Sequence, residues 1–148
     1  MGDFFVTKNI DYLNDLYQNA EMGVVGIDDV LYKVKDKILK KELERERKEF
    51  NKIMKKIAKL LSSYKNKPKK INFMTKMSSE FYSEMKLRRE NSDGVILKMM
   101  IEGSYKSVGI ITTKMIENDM ANKAVKTLGE KLLKVINDNI EKLKRIKI

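Results

Sequence analysis

The chain has 148 residues, 42% hydrophobic and 36% charged, and its 32 Lys and Arg against 21 Asp and Glu give a formal net charge of +11. This length predicts one domain with a core of its own. The absence of Cys and His excludes disulfides, thiol redox centres, zinc fingers, a Ser-His-Asp triad and His-ligated metals. The side chains that remain for chemistry are the carboxylates, Lys and Tyr.

The first predicted helix covers residues 8–35, and Thr7 or Asn9 can cap its start. Its apolar positions recur at alternating spacings of three and four, as in an amphipathic helix. Gly23 and Gly26 would each cost about 1 kcal/mol inside an exposed helix, so we expect them to let a neighbouring helix approach closely. The predicted apolar seam consists of Ile10, Leu13, Tyr17, Ala20, Val24, Ile27, Leu31 and Val34.

The second predicted helix covers residues 36–65, after a turn near Lys35 and Asp36. One residue of its seam, Glu46, does not suit a core. We expect Glu46 to pair with a Lys or with Tyr17 on a neighbouring helix, or the seam to turn outward at this position. The full seam is Leu39, Leu43, Glu46, Phe50, Ile53, Ile57, Leu60 and Tyr64.

A long connection follows over residues 66–94. It begins with the densest basic stretch and the only Pro, which indicate a loop, and continues as a short amphipathic helix over residues 71–89. Packing on the bundle is the favoured explanation of that helix, although basic amphipathic helices also bind anionic membranes and Met-rich faces also bind apolar partners. Its apolar residues are Phe73, Met74, Met77, Phe81 and Met85.

The last two predicted helices cover residues 95–118 and 122–146, the first of them capped by Ser92 or Asp93. Small residues interrupt the third helix, and we expect close backbone approaches there; they are Gly103, Ser104, Ser107 and Gly109. Its broad apolar stripe comprises Ile96, Leu97, Met100, Ile101, Val108, Ile110, Ile111 and Met115. The fourth helix turns inward Val125, Leu128, Leu132, Val135, Ile136, Ile140 and Leu143.

The lengths of the connections predict the topology. Tight turns make helices one and two antiparallel, and likewise helices three and four. The long connection between the pairs is enough to run back along the bundle, as in an all-α, ferritin-like four-helix bundle with one crossover. The alternative is a five-helix up-and-down bundle in which residues 71–89 form a full member; we favour the crossover.

Four segments resemble a family of small clostridial proteins: Tyr17–Gly23 (YQNAEMG), Lys33–Asp36 (KVKD), Met99–Ser104 (MMIEGS) and Asn137–Lys144 (NDNIEKLK). These segments are helical packing motifs. The resemblance implies a ferritin-like helical bundle without an established function, in the cytoplasm of a bacterium. It supplies no catalytic residue.

Acidic residues near the middle of each helix raise the question of a metal site. Ferritin-like proteins hold two metals with Glu side chains and two Glu-x-x-His elements, and this chain has no His. Oxygen ligands alone could hold Mn, Mg or Ca. In a chain with 21 Asp and Glu, however, an acid near the middle of each helix is expected by chance. We therefore expect these acids to be exposed or paired, and we expect no cofactor. The candidate ligands are Glu21, Glu46, Glu49, Glu102, Asp138 and Glu141.

The net charge of +11 suggests a polyanion partner, but only five of the 32 cations are Arg, the residue best suited to phosphate recognition. A solvated surface of Lys spread over the helices is therefore the favoured interpretation, and binding to nucleic acid or anionic membrane is the less favoured one. The candidate contacts are Lys65, Lys67, Lys69, Lys70, Arg88 and Arg89.

The sequence thus predicts a non-enzymatic interaction or structural module without catalytic residues. The start lacks the basic region of a signal peptide and no apolar run approaches ~18 residues, so we expect a cytoplasmic protein. A homodimer through the small-residue or Met-rich faces, or an unknown protein partner, would fit this function. The alternatives are a carboxylate metal protein and a polyanion-binding surface.

Overall fold

The structure, a computed structural model, describes residues 2–70 and 92–148. These residues form four helices without a strand: α1 (Gly2–Leu31), α2 (Lys37–Ser63), α3 (Asp93–Glu117) and α4 (Lys123–Lys144). The prediction of an all-α four-helix bundle is confirmed. None of the four helices has the combination of length and apolar content that crossing a membrane requires.

Hydrogen bonds at one end of the bundle attach the start of α3 to the α1–α2 turn. The carboxylate of Asp93 accepts from the backbone N–H groups of Lys35, at 2.9 Å, and Asp36, at 2.7 Å. The end of α2 and the start of α3 lie at opposite ends of the bundle.

At the other end, the α3–α4 turn meets the first part of α1 and the end of α2. The backbone N–H of Asn122 donates to Oδ1 of Asn9 at 3.1 Å, and its side-chain amide donates to the Tyr64 hydroxyl at 2.8 Å. Helices α2 and α3 therefore run in one direction, and α1 and α4 in the other. The predicted short helix over 71–89 lies outside the described residues, so its role as crossover or fifth bundle helix stays a prediction.

The helices occupy the four corners of the bundle. Helix α2 packs against α1 and α4, α3 packs against α4 and more sparsely against α1, and α2 and α3 lie at opposite corners. Only three side chains of α3 are buried, Ile96, Met99 and Ile111. The rest of the apolar core comes from α1, α2, α4 and the α1–α2 turn: Tyr12, Leu13, Leu16, Ala20, Ile27, Val30, Val34, Leu39, Leu43, Phe50, Ile53, Ile57, Leu61, Val125, Leu128, Leu132, Ile136, Ile140 and Leu143.

The predicted seams are accurate where a helix has one continuous buried stripe. In α2 the prediction differs only near the end, where Leu61 is buried in place of Leu60 and Tyr64. In α1, Tyr12 and Leu16 are buried although neither was placed in the seam. The reason is that α1 touches three helices, so its buried face is wider than one stripe.

The largest error in the helix limits concerns α1, which begins at Gly2 rather than near residue 8. Thr7 and Asn9 therefore lie inside the helix, and the predicted caps are wrong. Asn9 is buried and serves the tertiary contact with Asn122 described above. The cap predicted for the third helix is present, since Ser92 caps α3. Asp36, predicted only as part of a turn, caps α2 by accepting from the N–H of Leu39 at 2.8 Å.

The glycines divide into contacted and open positions. A Cβ on Gly23 would lie 2.5 Å from the ring of Phe50, so Gly23 makes room for this side chain of α2. Within residues 2–70 and 92–148, a Cβ on Gly26, Gly103 or Gly109 would meet nothing within 4 Å. The expected close approach is wrong at these three positions, because α1 and α3 pack sparsely.

Candidate functional site

The six candidate metal ligands do not converge. Glu102, Asp138 and Glu141 are exposed, and Glu21 and Glu49 are half-buried. Glu49, Glu102 and Glu141 each lie within 4 Å of a Lys on their own helix: Lys52 at 3.3 Å, Lys98 at 3.9 Å and Lys144 at 3.8 Å. Within residues 2–70 and 92–148, no three acidic side chains come close enough together to hold a metal ion.

Glu46 alone among the six is buried, with 1% of its surface exposed. Its pKa is raised to about 10 by burial and by the hydrogen-bonded carboxylate of Glu42, one turn earlier on α2. A carboxyl with this pKa is protonated at neutral pH, so Glu46 donates its proton to Glu42. The expected partners, a Lys or Tyr17, are wrong: the partner lies on the same helix.

Glu42 is the charged member of the pair. Burial opposes its charge, but hydrogen bonds from Arg45 and Glu46 outweigh burial and lower the pKa of Glu42. The Arg45 guanidinium donates to the two Glu42 oxygens at 2.9 and 2.6 Å and to Oδ1 of Asn139 on α4 at 2.9 Å. The network therefore carries one negative and one positive charge inside the α2–α4 interface.

Glu46 also lines a cavity of about 90 Å³ that reaches from α2 to the sparse α1–α3 contact. In the described part of the chain its Oε2 atom is buried without a hydrogen-bond partner. The other residues around the cavity are Met22, Gly23, Gly26, Phe50, Met99, Met100, Gly103, Ser104, Ser107 and Ile136.

Charge is distributed unequally among the helices. Helix α2 has ten Lys and Arg against four Glu, and residues 123–148 have eight Lys and Arg against three acids. Helix α1 has one Lys against six acids, and α3 has three of each sign. Because α2 and α4 are neighbours, their cations form one surface, here called the basic face, and the expectation of Lys spread over all helices is wrong.

The basic face contains an open groove of about 810 Å³ between the start of α2 and the end of α4. Six of its nine lining residues are cations: Lys37, Lys41, Arg45, Lys142, Arg145 and Lys147. Its one acid, Glu42, is already paired with Arg45. Further along the face, Lys131 lowers the pKa of the fully exposed Lys56 through direct proximity, with Lys52 contributing less.

Four of the six predicted polyanion residues lie in the segment that follows α2. Lys65, Lys67, Lys69 and Lys70 are exposed, but Lys69 is bound to α1: its N–H donates to Asn14 at 2.8 Å and its carbonyl accepts from Gln18 at 3.0 Å. Arg88 and Arg89 lie outside the described residues.

The basic face was not predicted from the sequence, because the prediction was based on the densest run of cations along the chain. The available signal was periodic: cations recur on α2 with the same spacing as the apolar seam, at Lys41, Arg45, Lys48, Lys52, Lys55 and Lys59.

No protein-family model, no curated protein and no solved structure matches this chain significantly. Function must therefore be inferred from the geometry.

Proposed function

We propose that the protein is a non-enzymatic module that binds nucleic acid through the basic face. The observation that supports this proposal is the concentration of cations on two adjacent helices. Helix α2 contains ten Lys and Arg, and α4 together with the residues after it contains eight. Like charges brought together repel one another, as the lowered pKa of Lys56 beside Lys131 indicates. A polyanion relieves that repulsion and releases its own counterions.

The chemistry of the face favours nucleic acid over an anionic membrane. Helices that bind membranes place large apolar side chains beside their cations. Within α2, α4 and the four residues after α4, two large apolar side chains are exposed, Ile38 and Ile148. At 1.5 Å per residue, the 27 residues of α2 extend about 40 Å, which is comparable to roughly 12 base pairs of duplex at 3.4 Å each.

The type of cation points to binding without sequence preference. Lys is a point charge, whereas Arg forms the paired hydrogen bonds that read phosphates and guanine edges. Helices α2 and α4 with the four residues after α4 contain three Arg, Arg45, Arg47 and Arg145. Arg45 and Arg47 are paired with Glu42 and Asp28. Contacts to the backbone by Lys therefore dominate the proposed complex.

The test is the salt dependence of binding to a mixed-sequence DNA duplex, followed by fluorescence anisotropy. Binding that persists at ~150 mM salt with a steep linear dependence of log K on log salt is expected. The double variant Lys56→Gln/Lys131→Gln should weaken binding several-fold and reduce the slope by about 2. The matched control, Lys98→Gln/Lys106→Gln on α3, removes the same charge from outside the face and should change affinity less than about twofold.

Equal weakening by both double variants would mean that net charge alone attracts DNA, and would reject the basic face as the site. Binding only at low salt would also reject the proposal. Tighter binding to anionic phosphatidylserine vesicles than to DNA would replace nucleic acid with a membrane as the partner.

A second candidate function, protein–protein interaction including a homodimer, is supported by the outer side of α3. Tyr105 and Ile116, three turns apart on this helix, are 51% and 72% exposed, and exposed apolar patches mark interaction surfaces. Sedimentation velocity should detect a dimer that Ile116→Ser disrupts, while Ile38→Ser on the basic face leaves it intact. A wild-type monomer at all concentrations would reject the homodimer.

The ferritin-like subtype, the relationship to the clostridial family, and a bacterial cytoplasmic location are proposals as well. The parallel directions of α2 and α3 and the long connection between them support the subtype, because a ferritin-like bundle has one such crossover. A carboxylate metal protein is the least supported function, since the candidate ligands are dispersed. Elemental analysis of protein expressed with added Mn and Fe tests it, and stoichiometric metal would revive it.

A further inference from the structure

The cavity beside Glu46 combines apolar walls with one unsatisfied acidic group. Met22, Phe50, Met99 and Ile136 supply apolar surface, and Glu46 supplies an oxygen that is buried and unpartnered among the described residues. A buried polar atom without a partner is energetically unfavourable. A ligand that placed a hydrogen-bond donor on this oxygen would recover that cost.

The electrostatics around Glu46 favour a donor that carries positive charge. Glu42 and Glu46 share the single guanidinium of Arg45, on which Glu49 also acts through its charge. Lys142 has the weakest effect on Glu46. Without a second close cation, one of the two carboxyls keeps its proton. Helix α1, which forms one wall, contributes no Lys or Arg to the lining of the cavity.

We propose that this cavity binds a primary alkylammonium group, with the alkyl chain between α1 and α3 and the ammonium on the Glu46 carboxylate. On binding, Glu46 releases its proton to solvent, and the ammonium replaces that proton as the partner of the carboxyl pair. The negative charges of Glu42 and Glu46 are then balanced by the positive charges of Arg45 and the ligand.

The volume limits the size of the group. An empty protein cavity of about 150 Å³ accommodates benzene, so the volume of about 90 Å³ here suits an alkyl chain of about three or four atoms. Propylamine, the aminopropyl end of a polyamine and a lysine side chain share this chemistry. The rim of Gly103, Ser104 and Ser107 leaves space for a longer ligand to extend out of the cavity.

The test is isothermal titration calorimetry of the full chain with propylamine hydrochloride at pH 7.5, in two buffers of different ionisation enthalpy. Saturable binding with release of about one proton per site is expected, because Glu46 must ionise. Propanol, which has the same shape and no charge, should bind at least about tenfold more weakly. Spermidine and Nα-acetyl-lysine methylamide then distinguish a free polyamine from a lysine side chain as the source of the ammonium group.

Two pairs of variants locate the site. Glu46→Gln should weaken propylamine binding at least about tenfold and abolish proton release, whereas Glu49→Gln, one turn away and outside the cavity, should do neither. Gly103→Leu should block the cavity, while Gly109→Leu, equally open but not part of the lining, should leave affinity within about twofold. Among the described residues, both glycines have free space around a Cβ, so both variants should fold.

Propylamine and propanol binding with equal affinity would overturn the proposal, as would binding without proton release or binding that survives Gly103→Leu. None of these results depends on whether the basic face binds nucleic acid.

Discussion

Helices α2 and α3 use apolar residues in opposite ways. Helix α3 has the more apolar sequence, yet it buries three side chains, whereas the Lys- and Glu-rich α2 buries seven. The apolar residues of α2 form one stripe, which faces the core between α1 and α4. Those of α3 are distributed around the helix, so any packing leaves some exposed. Periodicity therefore determines burial more than apolar content does.

The largest effect expected from this comparison concerns core truncation on the two sides of the bundle. Leu132→Ala on α4 should lower the free energy of unfolding by about 2–5 kcal/mol, because Leu132 is fully buried and the truncation leaves a cavity. Ile110→Ala on α3 should change it by less than about 1 kcal/mol, because Ile110 is 46% exposed. Urea unfolding measures both, and equal losses would contradict the difference in packing.

The next effect concerns the acid in the α2 seam. The pKa of Glu46 is raised from 4.5 to about 10, so folding takes up a proton between these pH values and wild-type stability falls as pH rises through them. Glu46→Gln removes this dependence. The free energy of unfolding of Glu46→Gln relative to wild type should rise by about 1 kcal/mol per pH unit between pH 6 and 9. The uptake of one full proton would give a slope of about 1.4 kcal/mol per pH unit.

Urea unfolding of wild type and Glu46→Gln across this pH range measures the effect. Glu49→Gln provides the control and should run parallel to wild type. Parallel curves for Glu46→Gln would show that Glu46 is ionised in the folded protein.

Two glycines of α1 compare the close contact of α1 with Phe50 of α2 and the sparse contact between α1 and α3. Gly23→Ala should destabilise by about 1–3 kcal/mol, because its Cβ meets the Phe50 ring at 2.5 Å. Gly26→Ala should stabilise by up to about 1 kcal/mol, because no described residue reaches the site and Ala favours the helix. Thermal unfolding by circular dichroism distinguishes the two signs. Destabilisation by Gly26→Ala would indicate a close helix contact on that side.

The smallest effect concerns how α3 is held at its start. Asp93→Ala leaves the N–H groups of Lys35 and Asp36 without their acceptor and should cost about 1–2 kcal/mol. Ser92→Ala removes only the local helix cap and should cost about 1 kcal/mol or less. Chemical denaturation compares the variants, and a larger loss for Ser92→Ala would mean that local capping matters more than the tertiary attachment.

The success of prediction from sequence followed the regularity of each helix. The seam of α2, including Glu46 as its exception, was predictable because a single stripe appears directly in the spacing of residues. The start of α1 was not, because Thr7 and Asn9 look like caps, and only the contact of Asn9 with Asn122 shows that Asn9 has a tertiary role. The open space at Gly103 and Gly109 was equally hidden, since a glycine in a helix looks the same whether or not a neighbour reaches it.

The sequence by itself determined the helices, their turns and the residues that α2 and α4 turn inward, because these depend on interactions within a few residues along the chain. Only the tertiary structure decided that α2 and α4 are neighbours, so that their cations form one face, and that Glu46 faces a cavity beside the weakly packed α3. Both features depend on which distant segments pair, and the period of a helix carries no information about its neighbours. The net charge of +11 thus acquires a location that composition alone could not provide.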